Sequence, residues 1–170
     1  MDLKKYITDV NDYPVQGIVF KDLTTLWKDK AAFKESLDAL THHYKGRKID
    51  KIVSPEARGF IFGAPLAYNL GAGFVPVRKP KKLPREFISV TYELEYGTDT
   101  LAMHKDAISP EENVLIVDDL IATGGTVKAI ASLVRQCKGN LLGFAFLVEL
   151  EFLKGRKEIE EYDVFSLLKF

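Results

Sequence analysis

Cysteine, an excess of one charge and long apolar runs are what this sequence lacks. Cys137 is the single cysteine among 170 residues, which excludes an intrachain disulfide framework and is typical of a reducing compartment. Lysine plus arginine and aspartate plus glutamate number 24 each, so no overall basic field favours nucleic acid. No apolar run approaches the roughly 18 residues that span a bilayer, and the start, MDLKKYITDVND, is too polar for a signal peptide. We therefore expect a cytoplasmic protein that binds neither nucleic acid nor a membrane.

Several common site signatures are missing as well. The three histidines, His42, His43 and His104, have no companions at metal-ligand spacing, so we expect no zinc site. The glycine pair at residues 124–125 is not followed by the lysine of a Walker motif, which removes most support for triphosphate hydrolysis. The GAG at residues 71–73 leads into a predicted strand instead of following one, which argues against a dinucleotide fingerprint.

Hydrophobic periodicity predicts an α/β fold in a single domain over residues 1–170. Helical spacing of apolar residues appears at about residues 29–45 and again from Val127 to a stop at Gly139. Short apolar runs that are typical of strands buried on both faces lie between the helices. They read IDKIVS, GFVPVRK, NVLIVDD and NLLGFAFLVEL. Strands separated by helices predict a mainly parallel sheet flanked by helices.

Two segments depart from this pattern. GFIFGAPLAYNLG at residues 59–71 is the weakest predicted helix, because Pro65 breaks a helix that is already under way; we expect a kink there or a late start. From Phe87 to Tyr96, apolar and polar residues alternate with a period of two. This alternation predicts a hairpin that projects from the sheet edge, with its tip near Glu95, Tyr96 and Gly97.

Polar clusters follow three of the predicted strands: PEARG after Ser54, RKPKKLPRE after Val77, and DDLIATGGT after Val117. Ligands of open parallel sheets bind outside the carboxyl ends of the strands. The three clusters are therefore expected to face one crevice.

The third cluster has the composition of a site for a ribose phosphate. Gly124 and Gly125 allow a sharp turn that a ligand can approach closely, and the helix that follows directs its positive end to the same place. For GGT alone, an ordinary strand-to-helix turn is the better interpretation. Asp118 and Asp119 make a binding site the better interpretation of the whole stretch, because adjacent carboxylates at the end of an apolar strand need partners. Sugar hydroxyls and a magnesium ion held partly by water and partly by the substrate are suitable partners.

At this point the residues resemble a known family. VDDLIATGGT resembles the phosphoribosyl pyrophosphate (PRPP) binding signature of the type I phosphoribosyltransferases. Segments along nearly the whole chain resemble, in order, those of the family members that act on adenine. They are DYPVQGIVFKDLTTL, PEARGFIFGAPLA, VRKPKKLPRE, YELEYGTDTLAMHKDAI, VDDLIATGGT and LVELEFLKGR. The resemblance implies the type I phosphoribosyltransferase fold with a small N-terminal hood, a flexible hairpin loop and a homodimer.

The resemblance also implies a reaction: adenine N9 displaces pyrophosphate from PRPP to give AMP, with Mg²⁺ held mainly by the substrate and no tight metal site in the protein. The phosphoribosyl group is then bound by Asp118, Asp119, Ala122, Thr123, Gly124, Gly125 and Thr126. Pyrophosphate is bound by Glu56, Ala57, Arg58, Lys79, Lys82 and Tyr96, with Arg78 and Lys81 adding charge and a cis Glu56–Ala57 peptide. Adenine is bound by Val19, Phe20, Lys21 and Leu120. Glu95 and Arg58 are the catalytic candidates, and Glu95 handles a proton.

Two rival functions stay open at this stage. One is a phosphoribosyltransferase for a 6-oxopurine. Many relatives carry arginine where this chain has Lys21. If the side chain at this position contacts the base, the difference weakens the expectation that the base is adenine. The other is a regulator that binds PRPP without turning it over. Such a regulator is expected to carry a DNA-binding domain ahead of the core and a basic surface, and this sequence has neither.

Overall fold

The computed structural model describes residues 1–94 and 96–170. In that part of the chain the strands are β1 (Thr8–Asn11), β2 (Val19–Asp22), β3 (Lys51–Pro55), β4 (Gly73–Val77), β5 (Phe87–Glu93), β6 (Thr98–His104), β7 (Asn113–Ile121), β8 (Asn140–Glu149) and β9 (Asp163–Lys169). The α-helices are α1 (Thr24–Trp27), α2 (Lys30–Tyr44), α3 (Arg58–Leu70) and α4 (Gly125–Gln136). Short 3₁₀ turns lie at Leu3–Tyr6, Pro80–Lys82, Glu151–Leu153 and Gly155–Ile159.

A five-stranded parallel sheet is the centre of the fold, as the alternation of helices and strands predicts. Its strand order is β4-β3-β7-β8-β9, and each neighbouring pair is parallel. The order reverses between β3 and β7, because the chain passes from β3 outward to β4 and then returns to the other side of β3. Ligands of such sheets bind at this switch point.

Both faces of the sheet are covered, which explains why its strands are apolar without alternation. Along β7, Val114 and Ile116 are fully buried in the core shared with α4. Leu115 and Val117 are buried in the second core, which α2 and α3 cover. The sheet is therefore a rigid base for the loops at its carboxyl edge.

The helices at residues 30–44 and 125–136 confirm the predictions from periodicity. Asp29 begins α2, since its carboxylate accepts hydrogen bonds from the N–H groups of Ala31 (3.0 Å) and Ala32 (2.9 Å). The helix ends at Tyr44, one residue before the predicted limit.

Of the two alternatives predicted for the third helix, a kink at Pro65 or a late start, the late start is wrong. α3 begins at Arg58 and continues through Pro65, although proline has no N–H to donate to the carbonyl four residues earlier. Phe62 and Leu66, on one face of this helix, are fully buried. The packing of one apolar face therefore outweighs the cost of one missing hydrogen bond.

The predicted hairpin is present as β5 and β6, paired from Phe87↔His104 to Glu93↔Thr98. It joins the edge of the main sheet, because Arg78 and Ala102 exchange backbone hydrogen bonds of 2.9 and 2.8 Å just after β4. The inward residues of β5, Ile88, Val90 and Tyr92, pack against the core that contains α4. The base of the hairpin thus rests on the body of the protein.

The N-terminal residues form a separate antiparallel pair, β1 with β2, in the register Thr8↔Asp22 to Asn11↔Val19. The N-terminal hood that the resemblance implies stays a prediction. Within the described residues, no helix is both long enough and apolar enough to cross a membrane.

Candidate active site

The three predicted clusters lie together at the carboxyl edge of the sheet. PEARG begins at the last residue of β3, the basic segment follows β4, the aspartates lie near the end of β7, and the glycine loop follows β7. Arg58 at the start of α3 reaches across the switch point, and its Nε donates to Oδ2 of Asp119 over 2.5 Å. Three cavities of about 100, 650 and 230 Å³ adjoin one another there, and Leu120 lines all of them.

The aspartates differ in their surroundings. β7 continues to Ile121, so both carboxylates belong to the strand instead of following it. The Asp119 side chain is only 6% exposed and is bound by Arg58. Asp118 accepts a hydrogen bond from the N–H of Asp119 (2.8 Å), and burial, followed by the negative charge of Asp119, raises the pKa of Asp118 well above its usual value. Asp118 is thus a poorly compensated carboxylate that lines two of the cavities.

The loop at residues 122–126, here called the phosphate loop, is shaped by contact with a distant glycine. Gly124 has a left-handed φ of 87°. A Cβ added there would lie 2.4 Å from the carbonyl oxygen of Gly155, and one added at Gly155 would lie 2.2 Å from the carbonyl oxygen of Ala122. The two segments therefore touch backbone to backbone, which only glycine allows on both sides.

The backbone N–H groups of this loop differ in their partners from those further along α4. Within the described part of the chain, no protein acceptor bonds the N–H groups of residues 123–127, whereas the next one, of Lys128, donates to the carbonyl of Gly124 (3.0 Å). The positive end of the α4 dipole adds to their field. Successive free N–H groups at a helix start form a site for an anion.

Glu56 organises the basic segment. Its carboxylate accepts from the N–H of Lys79 (2.7 Å) and from Nζ of Lys82 (2.5 Å), and Arg78 lies 3.5 Å away. Although burial raises the pKa of Glu56, the hydrogen bonds from Lys82 and Lys79 lower it below its usual value. The Glu56–Ala57 peptide is cis, as the resemblance implies.

The lysines predicted for pyrophosphate are brought near the crevice but are not directed into it. Lys79 is paired through Nζ with both carboxylate oxygens of Asp99 on β6. Asp99 also lies 3.4 Å from the hydroxyl of Tyr92, which is 3.2 Å from Oγ1 of Thr126. Lys81 is exposed on the 3₁₀ turn.

The residues predicted for adenine line the largest of these three cavities, of about 650 Å³. The ring of Phe20 lies 5.2 Å from that of Tyr13, edge to face, and 5.8 Å from the guanidinium carbon of Arg58. The ammonium of Lys21 is bound to Asp9 over 2.7 Å and stands 4.4 Å from the ring centroid of Phe170. The side chain of Lys21 is therefore engaged by the protein.

Sequence reasoning missed the far wall of this cavity and the residues that join the hairpin to the site. The missed residues are Asp9, Tyr92, Asp99, Leu150, Phe152, Leu153, Gly155 and Phe170. Apolar residues in short irregular segments carry no local sign of a site. The segment LVELEFLKGR, which contains four of them, is nonetheless among those that resemble the family.

Two site residues, Glu95 and Tyr96, are predicted at the hairpin tip. Glu95 lies outside the described residues. Tyr96 is 87% exposed, and in the described structure it lines none of the three cavities. Among the residues with a described position, no three His, Cys, Asp or Glu side chains are grouped so that they could hold a metal ion.

Comparison with known proteins gives a consistent result. Residues 28–169 match the model of the phosphoribosyl transferase domain. The adenine phosphoribosyltransferase of Acidobacterium capsulatum is 56% identical over 168 residues, which are 99% of this chain and 93% of that protein. Among solved structures, the adenine phosphoribosyltransferase of Thermoanaerobacter pseudethanolicus has 55% identity and a TM-score of 0.95, covering 99% of this chain and 98% of that one. That of Saccharomyces cerevisiae, complexed with an imino-altritol bisphosphate and adenine, has 45% identity and a TM-score of 0.93, covering 98% and 97%.

The two glycines of the phosphate loop are expected to differ in their effect on stability. Gly124→Ala places a methyl group against the Gly155 carbonyl at a left-handed φ and should lower the free energy of unfolding by about 2 kcal/mol or more. Gly125→Ala is the matched control, since its Cβ meets nothing closer than the Tyr92 ring at 3.8 Å; we expect a change within about 0.5 kcal/mol. Urea unfolding measures the free energy of unfolding of both variants. An equal loss of stability in the two would contradict the close backbone contact between Gly124 and Gly155.

Proposed function

The chain belongs to the phosphoribosyltransferase family, and on that premise we propose that it transfers the 5-phosphoribosyl group of PRPP to N9 of adenine, giving AMP and pyrophosphate. The observation that carries this function is the phosphate loop with its free N–H groups next to two carboxylates in one crevice. The loop suits the 5-phosphate, and the carboxylates suit the ribose hydroxyls, which donate to them. Relatives above 50% identity over nearly the full length act on adenine by name.

Asp118 and Asp119 have separate roles in binding the ribose. Asp118 has one backbone donor and an unfavourable environment for its charge, so a sugar hydroxyl that donates to it relieves that cost. The carboxylate of Asp119 is already paired with the guanidinium of Arg58. A ribose that binds Asp119 therefore shares the carboxylate with Arg58 or displaces it, which links sugar binding to the position of this arginine.

The cations around Glu56 suit the leaving group. As the anomeric carbon separates from pyrophosphate, negative charge collects on the departing oxygens, and cations that meet it lower the barrier. Arg58, Lys79 and Lys82 are the groups that we assign to this task. Mg²⁺ bound together with PRPP would neutralise part of the same charge, and Asp118 with Asp119 would bind its water ligands, because carboxylate oxygens are suitable partners for that ion.

The large cavity suits a purine. Phe20 offers an aromatic face for stacking, and Leu120 stands between this cavity and the phosphate loop. Stacking accepts any purine, so the choice of adenine requires donors and acceptors that match its 6-amino group. Because Asp9 and Phe170 engage the ammonium of Lys21, we assign the contact with the base to the backbone around Val19 and Lys21.

Glu95 is assigned to the proton that leaves N9 of adenine, and Tyr96 to contact with pyrophosphate. Movement of the hairpin tip over the crevice would bring both residues to the ligands and exclude water. Exclusion of water limits hydrolysis of the activated sugar.

A homodimer and a cytoplasmic location complete the proposal.

The base specificity is tested by steady-state turnover of each purine with PRPP and Mg²⁺. We expect kcat/KM for adenine to exceed that for hypoxanthine and guanine by about 10⁴-fold, because a site that binds the 6-amino donor leaves its acceptor unpaired against a 6-oxo group. Omission of Mg²⁺ should lower the rate with adenine. Preference for a 6-oxopurine would replace the proposed substrate, and PRPP binding without turnover of any base would remove the proposed reaction.

The role of Glu95 is tested by its replacement with alanine. We expect Glu95→Ala to lower kcat by about 100-fold or more, with the KM for PRPP little changed, because the sugar phosphate is bound elsewhere. Glu93→Ala is the matched control, since Glu93 is an exposed carboxylate on β5. If kcat of Glu95→Ala equals that of the control, Glu95 has no part in the mechanism.

A further inference from the structure

Each cation that we assign to pyrophosphate is paired with a carboxylate of the protein. Arg58 binds Asp119, Lys82 binds Glu56, and Lys79 binds Asp99. Asp119 and Glu56 belong to the segments that form the crevice. Asp99 lies on strand β6 of the hairpin, so its ion pair adds a side-chain link between two elements that Arg78 and Ala102 already join through backbone hydrogen bonds.

The Lys79–Asp99 pair keeps the ammonium group away from the cavity beside Glu56. Lys79 Nζ bonds both carboxylate oxygens of Asp99, and this hydrogen bond is the main cause of a lowered pKa of Asp99. Among the described residues that line the cavity between Glu56 and Thr126, Lys79 does not appear. The Lys79 side chain is 43% exposed and that of Asp99 28% exposed, so water and an anionic ligand can both reach the pair.

Tyr92 and Thr126 connect this ion pair with the ligand site. The Tyr92 hydroxyl lies between Asp99 (3.4 Å) and Oγ1 of Thr126 (3.2 Å). Thr126 lines both the phosphate-loop cavity and the cavity beside Glu56. A chain of hydrogen bonds thus leads from Lys79 through the hairpin to the edge of the crevice.

We infer that Asp99 is an internal counter-ion that the pyrophosphate group of the substrate displaces from Lys79. The inference rests on the proposed function. A pyrophosphate carries more negative charge than one carboxylate and accepts hydrogen bonds from several directions, so it attracts a lysine more strongly once bound. Transfer of Lys79 removes the ion pair between the β4-following segment and the hairpin. Asp99 is therefore a positioning residue: it sets the affinity for the substrate without touching it.

The test is a double-mutant cycle on the binding of inorganic pyrophosphate in the presence of Mg²⁺, measured by titration calorimetry. Asp99→Asn keeps the shape of the side chain and removes its charge. We expect the Kd for pyrophosphate to fall by about two- to fivefold, the range for loss of a competing, partly exposed ion pair. In a Lys79→Gln background the same replacement should change Kd much less. Asp106→Asn is the matched control, because Asp106 pairs with Arg85 at the other end of β6.

Kinetics add a readout that a structural role would not produce. Asp99→Asn should lower the KM for PRPP by a similar factor and leave the KM for adenine unchanged. A raised or unchanged Kd for pyrophosphate would overturn the inference, as would an equal fall in the Lys79→Gln background. Turnover of adenine and PRPP by the unaltered enzyme is measured alongside. If the unaltered enzyme turns over, a contradictory Kd refutes only the role of Asp99 as counter-ion. If it does not turn over, the proposed function itself fails.

Discussion

The backbone contact between Gly124 and Gly155 is the constraint on which the rest of the site depends. The two residues approach so closely that neither position has room for a Cβ. Gly155 therefore holds the phosphate loop at a left-handed turn that a loop with side chains would avoid, and the N–H groups of residues 123–127 are left without protein acceptors in the described structure. The parallel sheet supplies the fixed edge, α4 supplies the dipole, and this contact sets the direction of the donors.

Charge around the crevice is balanced internally. Each cation assigned to pyrophosphate is paired with a carboxylate from another segment of the chain. The positive charges are therefore compensated by the protein itself when no anionic ligand is bound. Ion pairs of this kind, with one partner partly exposed, contribute little to stability by themselves. They can consequently be exchanged for a substrate that carries more charge. Asp118 differs, because burial and the adjacent Asp119 leave its charge poorly compensated, and it gains most from a donor on a ligand.

The sequence predicts those features that depend on neighbours along the chain. Helices α2 and α4, strands β3, β4, β7 and β8, and the hairpin follow from periodicity, whereas β1, β2 and β9 were not predicted. The phosphate loop follows from glycines placed before a helix. Pro65 is locally unfavourable inside a helix, yet α3 continues through it, because the helix buries an apolar face in the core. The partners of the site residues were not predictable in the same way, because they are distant in sequence. Arg58 and Asp119 are 61 residues apart, and no local pattern indicates that Asp99 or Phe170 belongs to the site. The predicted role of the segment 122–126 rests on its residue types and on its resemblance to a family.

The central claim is that the N–H groups of the phosphate loop bind the 5-phosphate of the sugar. It is tested most directly by following the backbone amide resonances of Thr123–Val127 by NMR during a titration with ribose 5-phosphate. The account predicts that these resonances shift together and saturate, with the largest changes in the chain, because the phosphate becomes the acceptor that the protein does not supply. Saturating shifts confined to the lysines near Glu56, with the loop resonances unmoved, would contradict it.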